Sequence, residues 1–247
     1  MTILDEAIPI SRECTWVGRH DPEAALQCNA YLLMDGDHAV VFDCGSLPDF
    51  PVVMRKIIDC ISPHQILAVV ASHHDPDVCG SLAVFEDIVG RDDFQIVAHS
   101  RTLRLLSHLG LRGAPYAVDE HDLRWTFPSG RELRFVPTPY LHAPGAIVTH
   151  DPTSGAMFTG DLFGAFFPSD WTLVADERHP DAMKAWHQAY MPSGAILRPA
   201  LNRLAALAPV RLLPQHGSVL EGPKIAEAFA YLGALPCGVD LEPAEDP

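Results

Sequence analysis

The chain has 247 residues, of which 48% are hydrophobic and 20% are charged, as is typical of a folded protein and not of a disordered one. Its formal net charge of −15 argues against nucleic-acid binding and against a role at an anionic membrane surface. No apolar run reaches the length of a membrane span, and the acidic N-terminus does not resemble a secretion signal.

The first part of the chain predicts alternating strands and helices. The expected elements are a hairpin of two strands, a helix, a buried strand and a second helix, at residues 31–34, 39–42, 48–61, 66–71 and 80–90. The hairpin turn is Asp35-Gly36-Asp37, between runs rich in β-formers. The buried strand ends at a segment that is dense in histidine and aspartate, SHHDPDVCGSL.

The second part repeats this alternation. The predicted strands lie at 94–99, 122–127, 132–139, 145–151, 155–161 and 210–218. The predicted helices lie at 100–111 with Ser100 as N-cap, at 179–207 in two pieces around Pro192-Ser193-Gly194, and at 222–235. We therefore expect one domain over residues 1–236, built as a sandwich of sheets with helices outside, and a frayed tail at 237–247.

Four loops at predicted strand ends carry side chains that metals bind. Their candidate ligands are His73, Asp75, Asp77, His142, Asp161 and His216. Three imidazoles and three carboxylates from separate strand ends are enough for two metals, with one carboxylate as a bridge. One metal would take His73, Asp75, His142 and bridging Asp161, and the other would take Asp77, Asp161 and His216. This set contains nitrogen and oxygen ligands and no thiolate, which favours iron, with zinc or manganese as alternatives.

The pattern H-x-[HE]-x-D, followed by a later His, a Gly-Asp and a His-Gly, resembles the metallo-β-lactamase superfamily. The segment His73-His74-Asp75-Pro76-Asp77-Val78-Cys79-Gly80-Ser81-Leu82 looks most like its flavodiiron branch, and the resemblance covers roughly residues 29–217. It implies an α/β fold, the metallo-β-lactamase αββα sandwich of two mixed sheets flanked by helices, with two iron ions.

The sequence departs from that branch at three points. Asp75 replaces the usual Glu, and Val78 replaces the usual His after the Asp. No flavodoxin-like domain follows before Pro247, so we expect no flavin in this chain. In this respect it resembles flavin-free, oxygen-binding diiron proteins that are linked to oxygen sensing.

Several neighbours of the candidate ligands are expected near the site. Asp43, at a strand end, is expected to orient a ligand histidine, and His74 to lie beside the ligands or in solvent. Val78 is expected to leave one metal with an open position, or else to pack under the loop. Cys79 is expected to be a small packed residue. Phe163, Phe166 and Trp186 line the pocket or belong to the core.

The leading function is a non-haem diiron protein that binds or reduces dioxygen or nitric oxide, and an oxygen sensor is one form of it. Such a protein needs an external electron donor or a signalling partner, and an oligomer is compatible with the sequence. The alternatives are a dinuclear hydrolase of a phosphodiester, thioester or lactone, and a degenerate module that holds one metal or none. Six scattered cysteines without a CxxC pair indicate reduced thiols and a cytoplasmic location.

Overall fold

The protein is described by a computed structural model, which covers residues 3–24, 26–167 and 171–241. The strands in these ranges form two sheets. In the first sheet seven strands follow one another in chain order: β1 (Ile8–Pro9), β2 (Cys14–Trp16), β3 (Tyr31–Asp35), β4 (His38–Phe42), β5 (Ile66–Val70), β6 (Gln95–Ala98) and β7 (Ala114–Ala117). The pairs from β1 to β4 are antiparallel, and those from β4 to β7 are parallel.

The second sheet is also mixed. Its six described strands are β8 (Arg124–Thr126), β9 (Glu132–Pro137), β10 (Ile147–Asp151), β11 (Ala156–Gly160), β12 (Arg211–Pro214) and β13 (Leu220–Glu221). They lie in the order β13-β12-β11-β10-β9-β8. The pair β11–β12 is parallel and the others are antiparallel. A parallel pair needs a long crossover, and helices between residues 179 and 205 supply it.

Helices cover the outer faces of both sheets. Those in the described ranges are α1 (Phe50–Cys60), α2 (Pro76–Cys79), α3 (Leu82–Val89), α4 (Ser100–Leu106), α5 (His179–Tyr190), α6 (Gly194–Ala205) and α7 (Pro223–Ala234). None of them is long and apolar enough to span a bilayer. Two mixed sheets flanked by helices confirm the predicted αββα sandwich.

Alternation along β4 shows how the core is layered. Val40 and Phe42 belong to the apolar cluster shared with the second sheet, whereas Ala39 and Val41 belong to the cluster shared with α1 and α3. Both faces of the strand are buried, as expected where helices cover a sheet with parallel pairs. Between the sheets, the rings of Phe42 and Phe158 stack with centroids 3.6 Å apart. Apolar packing therefore joins the two sheets directly.

The structure differs from the sequence-based expectations at some boundaries. His99, not Ser100, is the N-cap of α4, because the His99 ring accepts a hydrogen bond from the Arg101 amide. Residues 237–241 are not frayed as expected. Cys237 is buried, and the 3₁₀ turn Gly238–Asp240 docks on the start of α6, where Asp240 accepts the Gly194 amide. Residues 242–247 lie outside the described part of the chain.

One edge of the sandwich collects the loops that the sequence singled out. The segment from residue 72 follows β5, Asp161 follows β11, and His216 follows β12 shortly after its end. Each of these strands lies in a parallel pair, so their carboxyl ends point in a common direction within each sheet. His142 lies in the connection between β9 and β10.

Candidate metal centre

The first group of candidate ligands surrounds one oxygen of Asp161. The Asp161 Oδ2 atom lies 2.8 Å from His142 Nε2 and 3.5 Å from His73 Nε2. Asp75 completes the group, because its Oδ2 atom lies 3.3 Å from His142 Nε2 and 3.7 Å from His73 Nε2. Metal–nitrogen and metal–oxygen bonds of about 2.1 Å place two ligands of one ion roughly 3 Å apart. The spacing of these four side chains therefore suits a shared cation.

The second group surrounds the other oxygen of the same carboxylate. His216 Nε2 lies 3.5 Å from Asp161 Oδ1 and 3.3 Å from Asp77 Oδ2. The structure thus brings all six predicted ligands into two adjoining groups, with Asp161 between them. One oxygen of Asp161 faces each group, which is the geometry that a bridging carboxylate requires.

Asp161 gives the most direct indication that a cation belongs here. The residue is only 3% exposed, and neither carboxylate oxygen accepts a hydrogen bond. The nearby His142 nitrogen is close but not aligned for one. A buried carboxylate that accepts no hydrogen bond is costly, and a cation beside each oxygen would offset that cost. Nitrogen and oxygen donors in these numbers fit iron, zinc or manganese.

The electrostatics of the site agree with this reading. Burial lowers the pKa of His142, but its contacts with Asp161 and Asp75 outweigh burial and raise the pKa to about 10. Burial likewise raises the pKa of Asp161, yet the neighbouring histidines hold it well below the usual range. The carboxylates therefore create a strongly negative potential at the ligand nitrogens, which favours a bound cation.

Hydrogen bonds behind the ligands fix their orientation. The Nδ1 atom of His216 donates to the Gln27 carbonyl at 2.9 Å, because a carbonyl oxygen can only accept. This bond leaves the lone pair on Nε2, the nitrogen that faces Asp77 and Asp161. His73 Nδ1 lies 3.0 Å from the Ser72 hydroxyl. Both histidines are therefore held with Nε2 toward the centre.

Asp43 acts on the site through Ser72. Its Oδ1 atom accepts the Ser72 amide at 2.8 Å, so it fixes the backbone immediately before His73. No hydrogen bond joins it to a histidine ring, so the predicted orientation of a ligand is indirect. Burial raises the pKa of Asp43 to about 6, while the bonds from Ser72 oppose that rise.

Three further residues of the segment after β5 lie next to the candidate ligands. His74 points partly to solvent, with Nε2 3.8 Å from Asp75 Oδ1. Cys79 is buried, and its thiol donates to the Asp75 carbonyl at 3.1 Å. Val78 is fully buried in the apolar cluster under the first sheet. Val78 therefore packs under the loop, and the expectation that it leaves a metal position open stays a prediction.

An aromatic wall lies behind the second group. Trp186 Nε1 donates to the Asp161 carbonyl at 3.0 Å, and its ring centroid lies 4.4 Å from that of His216. Tyr190 stacks on Trp186 at 4.2 Å and reaches 5.8 Å from His142. Trp186, rather than Phe163, is thus the aromatic side chain against the candidate ligands.

The remaining predicted pocket residues pack away from the ligands. Phe163 is buried against Phe229 at 4.8 Å, and its amide donates to His187 Nε2 at 3.2 Å. Phe166 packs edge-on against Trp186 at 5.0 Å. Phe166 therefore packs behind Trp186, and the ring of Phe163 packs against helix α7.

Cys28 is a neighbour of the candidate ligands that the sequence did not indicate. Its Sγ atom lies 3.8 Å from Asp77 Oδ2 and 3.9 Å from His216 Nδ1, although the chain separates Cys28 and His216 by 188 residues. A lone cysteine before a hairpin gives no metal signal in the sequence, because the pairing depends on two distant loops meeting. The sequence analysis gave Cys28 no role as a ligand, and the structure places its thiol beside the second group.

Comparisons with known proteins agree with this architecture. A family model described as "ODP family beta lactamase" matches residues 26–217. The apo state of the chemotaxis sensor ODP from T. denticola superposes with a TM-score of 0.80 at 26% identity, over 95% of each chain. A structure of chemotaxis sensor ODP described as a peroxy diiron species has a TM-score of 0.79 and 27% identity, over 95% of this chain and 97% of that one.

Longer proteins share the same domain. A putative diflavin flavoprotein A 1 of Thermosynechococcus vestitus is 27% identical over 82% of this chain, which spans only 36% of that relative. The flavodiiron protein of Giardia intestinalis has a TM-score of 0.82 at 22% identity, over 92% of this chain and 58% of that one, a likeness that shows the fold alone. Because the family model covers most of its length and the fold agrees, the chain belongs to the ODP β-lactamase family, on the metallo-β-lactamase-like fold of the flavodiiron proteins.

Proposed function

We propose that this protein holds two iron ions at the edge of the sandwich and binds dioxygen there, as an oxygen-sensing protein. The observation that carries the proposal is the Asp161 carboxylate, which is buried, accepts no hydrogen bond, and presents one oxygen to each group of candidate ligands. Two divalent cations would balance most of the charge of three carboxylates and satisfy both oxygens. Bound iron would supply the redox chemistry that dioxygen requires.

The residues around the centre suit a small, weakly hydrated ligand. Trp186, which is buried, covers the side next to His216 with aromatic surface and excludes water from it. Asp75, Asp77 and His142 are the more exposed ligands, at 31%, 29% and 22% of their side chains, so access from solvent is on their side. A diatomic molecule would enter there without displacing the buried ligands.

The likeness to chemotaxis sensor ODP, at 27% and 26% identity over 95% of this chain, supports a role as a sensor. We therefore propose that the protein acts with a signalling partner. An external electron donor is the alternative partner, and a reductase would need it. A cytoplasmic location is also proposed, and it is supported by six cysteines that are all free thiols.

Metal analysis together with optical spectroscopy tests this function. The protein is purified anaerobically from iron-supplemented cells, its metal content is measured, and its spectrum is recorded before and after air. We expect about two irons per chain and a spectral change on adding dioxygen. Two zincs that resist replacement by iron, with hydrolysis of a phosphodiester, thioester or lactone, would instead establish the hydrolase. Iron without any response to dioxygen would contradict oxygen binding.

A further inference from the structure

Cys28 lies beside Asp77 and His216 of the second group of candidate ligands. One ligand atom from each of Cys28, Asp77 and His216 lies within 4.8 Å of the others. The sulfur is 3.8 Å from the Asp77 Oδ2 atom, and it is 3.9 Å from His216 Nδ1, the nitrogen that donates to the Gln27 carbonyl. Since a metal–sulfur bond is about 2.3 Å and a metal–oxygen bond about 2.1 Å, such spacing suits ligands of one ion.

The backbone holds Cys28 at this place. Its neighbours on both sides are bonded to the loop of His216, because the Gln27 carbonyl accepts His216 Nδ1 and the Asn29 amide donates to the Gln215 carbonyl at 2.7 Å. Cys28 and His216 also form an isolated β-bridge. The thiol is therefore fixed by the same contacts that orient the imidazole.

A cation at this position is indicated independently of the cysteine. Asp161 is 97% buried, and its Oδ1 atom, 3.5 Å from His216 Nε2, has no hydrogen-bond partner. Without Cys28, the ion would have only Asp77, Asp161 and His216 as protein ligands. Val78, which follows Asp77, is buried among apolar residues, and its side chain cannot ligate. The thiol of Cys28 is thus available as the fourth group.

We propose that the Cys28 thiolate is a ligand of the second metal, together with Asp77, His216 and the bridging Asp161. This inference rests on the two-metal site of the proposed function and deepens it. On binding, the S–H bond breaks, the proton passes to solvent, and a sulfur lone pair forms the bond to the ion, with no change of oxidation state. The two metals then differ, since one has nitrogen and oxygen ligands and the other also has sulfur.

Thiol reactivity of the wild-type protein gives a first test. The metal-free chain and the chain loaded with two equivalents of Co(II) are treated with iodoacetamide, and each cysteine is followed by peptide mass mapping. We expect Co(II) to slow alkylation of Cys28 by about tenfold or more, because the metal-bound thiolate is no longer a free nucleophile. Cys60, which is partly exposed and outside the site, is the internal control and should react equally in both states.

Absorption spectroscopy of the Co(II) form gives a second test, with Cys28→Ser and the matched control Cys60→Ser. Wild type and Cys60→Ser should show a near-ultraviolet thiolate-to-cobalt band, which Cys28→Ser should lose. Two bound Co(II) ions without that band, with Cys28 alkylated as fast as in the metal-free chain, would overturn the ligand assignment and leave the two-metal site intact. A wild-type chain that binds no cobalt and no iron would overturn both proposals.

Discussion

Asp161 is the candidate ligand whose two carboxylate oxygens face different groups, and this gives its substitution a distinct expected outcome. Asp161→Ala should lower the metal content from about two equivalents to near zero, because a bridging carboxylate serves both cations. Asp75→Ala should leave about one equivalent, because Asp75 lies only in the group of His73 and His142. The metal content of both variants is measured after identical purification. A loss of one equivalent in each would contradict the bridging role of Asp161.

Trp186 offers a test of how the aromatic wall supports the centre. Trp186→Phe keeps an aromatic ring at this position but removes the N–H that donates to the Asp161 carbonyl. Metal affinity should therefore fall by about tenfold or more. Trp125→Phe is the matched control, because Trp125 donates to Gln95 Oε1 at 2.7 Å elsewhere in the core. Competition with a chelator measures both affinities. Equal weakening in the two variants would show a general loss of packing instead.

For single residues, the sequence predicted the histidines and carboxylates as candidate ligands because each follows a strand within a recognisable loop. Cys28 and Trp186 could not be assigned in the same way. Their roles depend on contacts across the fold, such as the approach of Cys28 to His216 and of Trp186 to the backbone of Asp161. A single tryptophan or cysteine gives no spacing pattern that would indicate such a contact.

Helix α5 contains a buried histidine whose protonation should destabilise the fold. His187 is fully buried, its Nδ1 atom donates to the Met183 carbonyl at 2.8 Å, and its Nε2 atom accepts the Phe163 amide. Burial lowers its pKa from 6.5 to about 4. The neutral form that the fold requires is fully favoured above pH 6.5, so its contribution to stability should be lost as the pH falls from about 6.5 toward 4.

The size of this effect follows from the shift in pKa, which corresponds to about 3 kcal/mol at most. Urea unfolding of the metal-free protein at several pH values measures it, and His187→Gln provides the comparison because glutamine does not titrate. The difference in stability between the two proteins should shrink as the pH falls. A constant difference from pH 7.5 to 4.5 would contradict the role assigned to His187.

Elements with long periodic patterns were predicted well, and short ones were not. The hairpin of β3 and β4 and the division of the 179–207 region into α5 and α6 are confirmed. The short strands β1, β2, β7 and β13 were missed, since runs of two to four residues leave little pattern. Helix α2 was predicted as a loop, because Pro76 at its first turn and the flanking aspartates resemble turn residues.

For the whole molecule, the candidate ligands are divided between the two sheets. His73, Asp75 and Asp77 follow a strand of the first sheet, whereas His142, Asp161 and His216 belong to loops of the second. Bound metal should therefore cross-link the sheets at one edge and relieve repulsion among the carboxylates. The fold class was predictable because the alternation of elements extends through the chain, but the meeting of the loops is a property of the assembled sandwich.

Removal of metal should consequently lower the melting temperature. A ligand present at 100 to 1,000 times its dissociation constant stabilises the fold by about 3 to 4 kcal/mol, which corresponds to a shift of roughly 6 to 16 °C for a domain of this size. Calorimetry before and after chelation, followed by re-addition of iron, measures the shift. The Asp161→Ala variant should show no such response, and an equal response in that variant would argue that the metal acts elsewhere.

The division between the sheets also follows the order of the chain, and this affects when the centre can form in the cell. Strands β1 to β7 end at Ala117, and strands β8 to β13 begin at Arg124. Synthesis proceeds at about 5 to 20 residues per second. The first sheet and its three candidate ligands therefore emerge before the three ligands of the second sheet have been made. His216 is the last of the candidate ligands to be synthesised. Iron is thus expected to enter the second metal position only after His216 has emerged, and a nascent chain stalled before His216 would lack that position.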